Sequence, residues 1–290
     1  MIPVRFDYAA FDSIEESVRQ LKENENAKVI AGGQSMLTNM KLKPLAASML
    51  IDLRRISALR GLTWTEKNGL QIGAMTTYDE IVASQEIQGQ YSALAEAVTL
   101  IGDHQVRNRG TIGGSLANND SAADLPAVVL AFEVKINAVG SNGVKREIPV
   151  EDFFKGPFKT ALASDEIITS VIFPACSDAV GSAYEKVKNP ASGFAICAIA
   201  ALVELSSNKT VNKCRIAVTG AAESAKRLKK VEAVLEGKEP TLDNIAAAAS
   251  NVNKEGLRLS SDLHASAEYR AHLTQVLTEQ AIARAVDRAK

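Results

Sequence analysis

Hydrophobic positions along this 290-residue chain recur with two different periods, and the period changes several times. In SIEESVRQLKEN, Ile14, Val18 and Leu21 fall on one helical face, with Ser13 and Glu16 at capping-box spacing. AKVIAGG predicts a short strand running into a glycine turn, SMLIDLRRI (48–56) a second strand, and GLQIGAMTT (69–77) a third. TYDEIVAS predicts a helix with Thr77 as N-cap, and SALAEAVTLIG (92–102), apolar on most faces, a buried helix. The run AADLPAVVLAFEVKINAVGSNGVKREIPV reads as a helix starting near Ala122, a strand, the turn Ser141-Asn142-Gly143 and a returning strand. The Asn-Gly pair suits a hairpin turn because both positions can take φ > 0. DEIITSVIFP (165–174) is a strand closed by proline.

Beyond that point the grammar shifts. SAYEKVKN, GFAICAIAALVELSS and KTVNKCRIAVTGAA predict an antiparallel meander. Three helices should follow, in ESAKRLKKVEAVLEG, TLDNIAAAASNVN and SAEYRAHLTQVLTEQAIARAVDRAK. The expected fold class is α+β. A two-lobed domain would span 1–176, with lobes of about 1–55 and 56–176, followed at 177–290 by an antiparallel sheet with helices.

Composition narrows the function. Hydrophobic residues make up 46% and charged residues 23%, as in a soluble protein with a sizeable core. A net charge of -1 gives no electrostatic reason to expect nucleic-acid or membrane-surface binding, and KRLKK (226–230) reads as a solvated helix face. Cys176, Cys197 and Cys214 form no CxxC pair, and an odd count suits a reducing, cytoplasmic setting. No signal peptide is expected from MIPVRFDYAA, and FAICAIAALVEL is too short to span a bilayer, so no membrane insertion is expected.

The candidate chemistry sits in two loops, AGGQSM and TIGGS. Glycine after a strand lets a ligand approach the main chain, and successive N–H groups can form an anion-binding concavity. Gln34 and Ser35 add polar side chains to the first loop, and Thr111 and Ser115 flank the second. Two such loops suit a long ligand with a diphosphate in its middle. Neither GxGxxG nor GxxxxGK[ST] is present, and GGQSM lacks the last glycine of GxSxG.

Together these motifs carry a resemblance. The chain resembles the FAD-binding medium subunit of molybdenum hydroxylases, the carbon monoxide dehydrogenase and xanthine dehydrogenase family. The likeness runs through MIPVRFDY, AGGQSMLTNMKL, IDLRRI, IGAMTT, VRNRGTIGGSLANNDSAADLPAVVLA, ITSVIFP and AYEKVK. It implies a flavin-binding domain of the PCMH/vanillyl-alcohol-oxidase type. The first loop (Ala31, Gly32, Gly33, Gln34, Ser35 and, more loosely, Met36) would wrap the FAD diphosphate. Thr111, Gly113, Gly114 and Ser115 would approach from the other side, and Asp124 would hold FAD hydroxyl groups. Asn118 and Asp120 either contact FAD or cap the helix near Ala122.

Ile101 is either a ligand neighbour or core, and Ile168 either offers backbone contacts to the adenine end or packs its strand. Lys186 is either a cation near the flavin or an exposed ion pair, and Phe194 stands where relatives carry a tyrosine beside the flavin. Trp64 reads as cover for a strand edge.

Three scattered cysteines cannot build a [2Fe–2S] site, and His104, His264 and His272 lack metal-ligand spacing. No residue is assigned to catalysis and none to a metal. The resemblance implies an electron-exit module. A molybdopterin large subunit would oxidise substrate, an iron–sulfur small subunit would relay electrons, and FAD here would pass them to an external acceptor, in a dimer of heterotrimers. The alternatives are a free-standing FAD oxidase or dehydrogenase of the same flavin-binding fold, and a nucleotide-binding protein without redox chemistry.

Overall fold

The structure is a computed structural model and describes residues 5–42, 47–65 and 69–289. The first residues of MIPVRFDY, the end of the stretch after the first glycine loop and part of LTWTEKNG lie outside the described residues.

The chain opens with β1 (Asp7–Ala10), α1 (Ile14–Glu23), β2 (Lys28–Ile30), α2 (Met36–Leu42) and β3 (Met49–Asp52). The strands form a parallel sheet in the order β1-β3-β2. Ser13 caps α1 by accepting the Glu16 N–H at 3.2 Å, and α1 buries Val18 and Leu21 in one cluster with Ile51 and Leu53. The hydrophobic pattern does not reveal β1 and α2, which are four and seven residues long. Segments this short show little periodicity.

The middle of the chain builds a five-stranded antiparallel sheet, ordered β4-β5-β10-β6-β7. Its first strands are β4 (Leu62–Thr65) and β5 (Gly69–Gly73). Six helices follow: α3 (Tyr78–Ala83), α4 (Gln85–Gln90), α5 (Ser92–Thr99), α6 (His104–Arg107), α7 (Ile112–Asn118) and α8 (Leu125–Ala131). Then come β6 (Lys135–Val139), β7 (Lys145–Pro149), α9 (Val150–Phe153), the hairpin β8 (Phe154–Gly156) and β9 (Lys159–Thr160), and β10 (Ile167–Phe173). Thr77 and Glu80 complete a capping box on α3. Trp64 lies on the edge strand β4 and is partly exposed.

β6 and β7 pair as the expected hairpin, and at its turn Gly143 takes φ > 0 (+71°) while its N–H bonds the Gly140 carbonyl at 3.0 Å. Helix α8 begins at Leu125 rather than near Ala122.

The remaining chain forms a four-stranded antiparallel sheet in sequence order, β11 (Val180–Lys188), β12 (Ala195–Leu205), β13 (Val211–Thr219) and β14 (Lys226–Arg227). Helices α10 (Lys229–Leu235), α11 (Leu242–Ala249) and α12 (Ala267–Arg288) complete it. The near-continuous apolar run of β12 has a physical cause, because both faces of this sheet are covered. Ala198, Ala200 and Leu202 join the core of the middle unit, while Cys197, Ile199, Ala201 and Val203 pack under the C-terminal helices. The reading of KRLKK as a solvated helix face is also corrected. Lys226 and Arg227 form β14, and Arg227 is buried against Glu232 at 2.6 Å, so the helix starts at Lys229.

Candidate cofactor site

The first glycine loop leaves the carboxyl end of β2, where the Ile30 carbonyl accepts the Leu53 N–H at 3.2 Å. Gly33 takes φ +78°, a left-handed conformation that glycine adopts at little cost. Gly32 lies against the main chain leading into the second loop, and a Cβ there would fall 2.0 Å from the Arg109 carbonyl oxygen. The two loops therefore meet backbone to backbone. A Cβ on Gly114 would sit 3.4 Å from Ala31, so the contact continues into the second loop.

The loops differ in what they offer a ligand. Among the described residues, the N–H groups of Gly32, Gly33, Gln34 and Ser35 meet no acceptor, and they open onto the first turn of α2. Free N–H groups gathered in one turn make an anion cradle. The amides of the second loop are already taken. Ile112 donates to the Thr76 carbonyl (3.2 Å), Gly113 to the Ala74 carbonyl (2.9 Å), Gly114 to Thr111 Oγ1 (3.1 Å) and Ser115 to the Thr111 carbonyl (3.1 Å). The expected second hollow of free N–H groups is thus corrected, because these amides cap and tether α7. Thr111 and Gly113 are buried, while Gly114 and Ser115 reach the surface. Tyr78 packs beneath the second loop against Gly110. Burial pushes its phenol up to about 12, so it stays protonated at neutral pH.

Downstream of α7, Asn118 is the last residue of that helix and caps nothing at Ala122. The Asp120 carboxylate accepts the Ala122 N–H at 2.9 Å, a local turn contact. Thr219, Gly220 and Ala195 pin the segment from the far side, binding the carbonyls of Ser121, Ala122 and Ala123. Asp124 is buried, and its Oδ1 accepts from Tyr184 (2.6 Å) and pairs with Lys186 Nζ (2.8 Å). Burial raises the carboxyl pKa, while the Lys186 ammonium opposes that shift. The reading of Lys186 as an exposed ion pair is corrected, since its side chain is only 1% exposed. Lys186 also donates to the Leu100 carbonyl at 3.2 Å, which places Ile101 beside the pair. Gly193 approaches Gly102, bringing the half-exposed Phe194 to the same rim.

Ile168 lies on β10, the strand that packs against α7 behind the second loop. Its side chain is buried in the core of the five-stranded sheet, and its neighbour Thr169 accepts the Ala74 N–H at 3.0 Å. Sequence analysis missed Tyr78 and Tyr184. The alternation of β11 held a signal for Tyr184, because residues two apart share a face with Lys186. Two open grooves of about 460 and 570 Å³ lie elsewhere, on the outer face of the five-stranded sheet, and no glycine-loop residue lines them. Among the described residues, no group of three or more His, Cys, Asp or Glu could hold a metal.

A diphosphate dinucleotide fits this arrangement. The N–H cradle matches a doubly charged middle, glycines stand where a Cβ would fill the approach, and a buried carboxylate is held by Tyr184 and Lys186. Comparison with known proteins agrees. Residues 4–176 match the model of the FAD binding domain in molybdopterin dehydrogenase, and residues 182–285 that of the CO dehydrogenase flavoprotein C-terminal domain. The chain is 37% identical to the carbon monoxide dehydrogenase medium chain of Hydrogenophaga pseudoflava, over 97% of each protein. It is 33% identical to the 6-hydroxypseudooxynicotine dehydrogenase complex subunit alpha of Paenarthrobacter nicotinovorans, over 100% of this chain and 97% of that one. A solved carbon monoxide dehydrogenase from H. pseudoflava superposes with TM-score 0.95 at 37% identity, covering 100% of both chains. The glycine loops, the PCMH-like α+β domain and the C-terminal sheet with helices make this chain a member of the family of FAD-binding medium subunits of molybdopterin hydroxylases.

Proposed function

We propose that this chain is the electron-exit subunit of a heteromeric molybdenum hydroxylase, with FAD lying across the two glycine loops. The observation that carries this is the contact of Gly32 with the Arg109 carbonyl, beside four open N–H groups. When bound, FAD takes electrons from the iron–sulfur clusters of a partner subunit and gives them to an external acceptor. The chain's own residues bind and orient it. The amides of Gly32, Gly33, Gln34 and Ser35, with Ala31 and Met36 beside them, would hold the diphosphate. Gly114 and Ser115 line the other side, Asp124 accepts from cofactor hydroxyl groups, and Ile101 and Phe194 shield the rim. Thr111, Gly113 and Ile168 act through their backbone positions, and Asn118 and Asp120 shape the segment between.

The same reading takes residues 1–176 as the cofactor domain and 177–290 as the C-terminal domain. It also takes the assembly as a dimer of heterotrimers with an iron–sulfur small subunit and a molybdopterin large subunit. The names of the relatives, a medium chain and a complex subunit, support this. Three free cysteines support a reducing, cytoplasmic location. Among the described residues, no helix is long and apolar enough to cross a membrane.

The test uses the complex purified with its partners. Its flavin absorbance should correspond to one FAD per copy of this chain, and the flavin should bleach when the partner's clusters are reduced. After removal of FAD the clusters should still reduce while electron delivery to the acceptor stops. A colourless chain that ignores added FAD defeats the proposal, and substrate turnover by the isolated flavoprotein defeats the subunit role.

A further inference from the structure

Strand β11 lies at the edge of the four-stranded sheet, and its alternation sends Tyr184 and Lys186 toward the same carboxylate. Both donate to one oxygen of Asp124, the Tyr184 hydroxyl at 2.6 Å and the Lys186 ammonium at 2.8 Å. Neither takes Oδ2. The three groups are almost wholly removed from solvent, with Tyr184 at 2%, the Lys186 side chain at 1% and the Asp124 side chain at 5% exposure. A buried ion pair persists only when further hydrogen bonds satisfy its atoms, and the phenol supplies one.

The strand that carries Tyr184 is itself held at two points. The Tyr184 N–H donates to Glu96 Oε2 on α5 at 2.9 Å, and Glu96 Oε1 is gripped by Arg288 (2.6 Å) and by Arg284. Lys186 Nζ reaches the Leu100 carbonyl at 3.2 Å just beyond the same helix, so β11 and α5 are fixed in register at two points. Burial and the Asp124 charge raise the phenol pKa well above its usual value, which keeps the donor protonated.

We infer that Tyr184 is a positioning residue for the cofactor. With Lys186 it holds Oδ1 of Asp124 and so fixes the orientation in which the carboxylate accepts from an FAD hydroxyl. This rests on the reading that FAD occupies the site. No part of the family likeness assigned a role to Tyr184; the geometry of β11 against α5 and Asp124 does.

The test is a double-mutant cycle in the complex, with FAD removed and rebinding followed by flavin fluorescence. Tyr184→Phe keeps the ring and removes the donor, and should weaken FAD binding roughly ten-fold, the scale of one hydrogen bond to a charged group. Asp124→Asn should weaken it at least as much, and the double variant should bind no more weakly than Asp124→Asn alone, because Tyr184 acts through Asp124. Wild-type affinity in Tyr184→Phe, or factors that multiply in the double variant, would overturn the inference. A wild-type complex that takes up no FAD defeats the proposed function and this inference together, whereas either of the former results leaves the FAD reading standing. Thermal melts of the flavin-free variants separate lost positioning from lost folding. Should Tyr184→Phe fail to fold, 3-fluorotyrosine at 184 keeps ring and hydroxyl but makes a more acidic donor. It must then shift the FAD dissociation constant, and an unchanged constant overturns the inference.

Discussion

Two residues show how narrowly the site is built. Gly32 cannot carry a side chain without driving it into the Arg109 carbonyl, 2.0 Å from an ideal Cβ. Gly32→Ala should therefore part the two loops, at a cost of about 1–3 kcal/mol for forced overpacking. Flavin content should fall while far-ultraviolet circular dichroism keeps the wild-type spectrum. Lys186 presents the opposite problem, a buried charge with a buried partner. Lys186→Met strands Asp124, and removing one member of a buried pair costs about 3–5 kcal/mol. Denaturant unfolding of the flavin-free chain should register that loss at neutral pH. The stranded carboxyl, already raised by burial, can escape its charge by taking a proton, so the deficit should shrink as pH falls.

Among the elements, α3 and α7 set the second loop in place. Thr77 caps α3, with its Oγ1 accepting the Glu80 N–H (3.3 Å) and its own N–H donating to Glu80 Oε2 (2.7 Å). The same residue forms an isolated bridge with Thr111, the N-cap of α7, so one cap steadies both helix starts. Thr77→Ala should cost about 1 kcal/mol, the usual worth of an N-cap. The urea midpoint should fall with an unchanged slope. Where capping and hydrophobic period agreed, as in α1 and α3, the sequence was legible to within a few residues. It was not legible at β14, because Lys226 and Arg227 look solvent-bound until β13 pairs with them and Glu232 meets the guanidinium.

For the whole molecule, two ionic hubs join the C-terminal sheet and helices to the middle unit. Glu96 on α5 takes Arg284 and Arg288 from α12, and Glu133 after α8 takes Lys213 (2.5 Å), Arg215 (2.7 Å) and Arg227 (3.1 Å). Burial alone would raise the Glu133 carboxyl, yet Lys213 and Arg215 outweigh it and hold the group down at about 2, against an ordinary value of 4.5. A depressed carboxyl contributes its full stability above the unfolded value and loses it as pH falls through the folded one. Acid unfolding should therefore steepen between about pH 4.5 and 2, and Glu133→Gln should flatten that slope. An unchanged slope in Glu133→Gln, followed by circular dichroism, would show that the hub does not couple folding to pH.

The residue string by itself determined the α+β class, most of the longer helices and strands, the two glycine loops and, through their resemblance, the FAD-binding family. Those features are local: a hydrophobic period, a cap or a glycine pair is written in neighbouring residues. Tertiary structure alone decided that Gly32 and Arg109 touch, since residues so far apart in sequence meet only when the parallel sheet docks on the middle unit. It also decided that the first loop keeps its N–H groups open while the second gives its own to Ala74, Thr76 and Thr111. The burial of Lys186 against Asp124 and Tyr184 follows the same logic. Whether a charged or polar group is solvated or paired depends on what distant chain covers it, and spacing along the sequence carries no record of that.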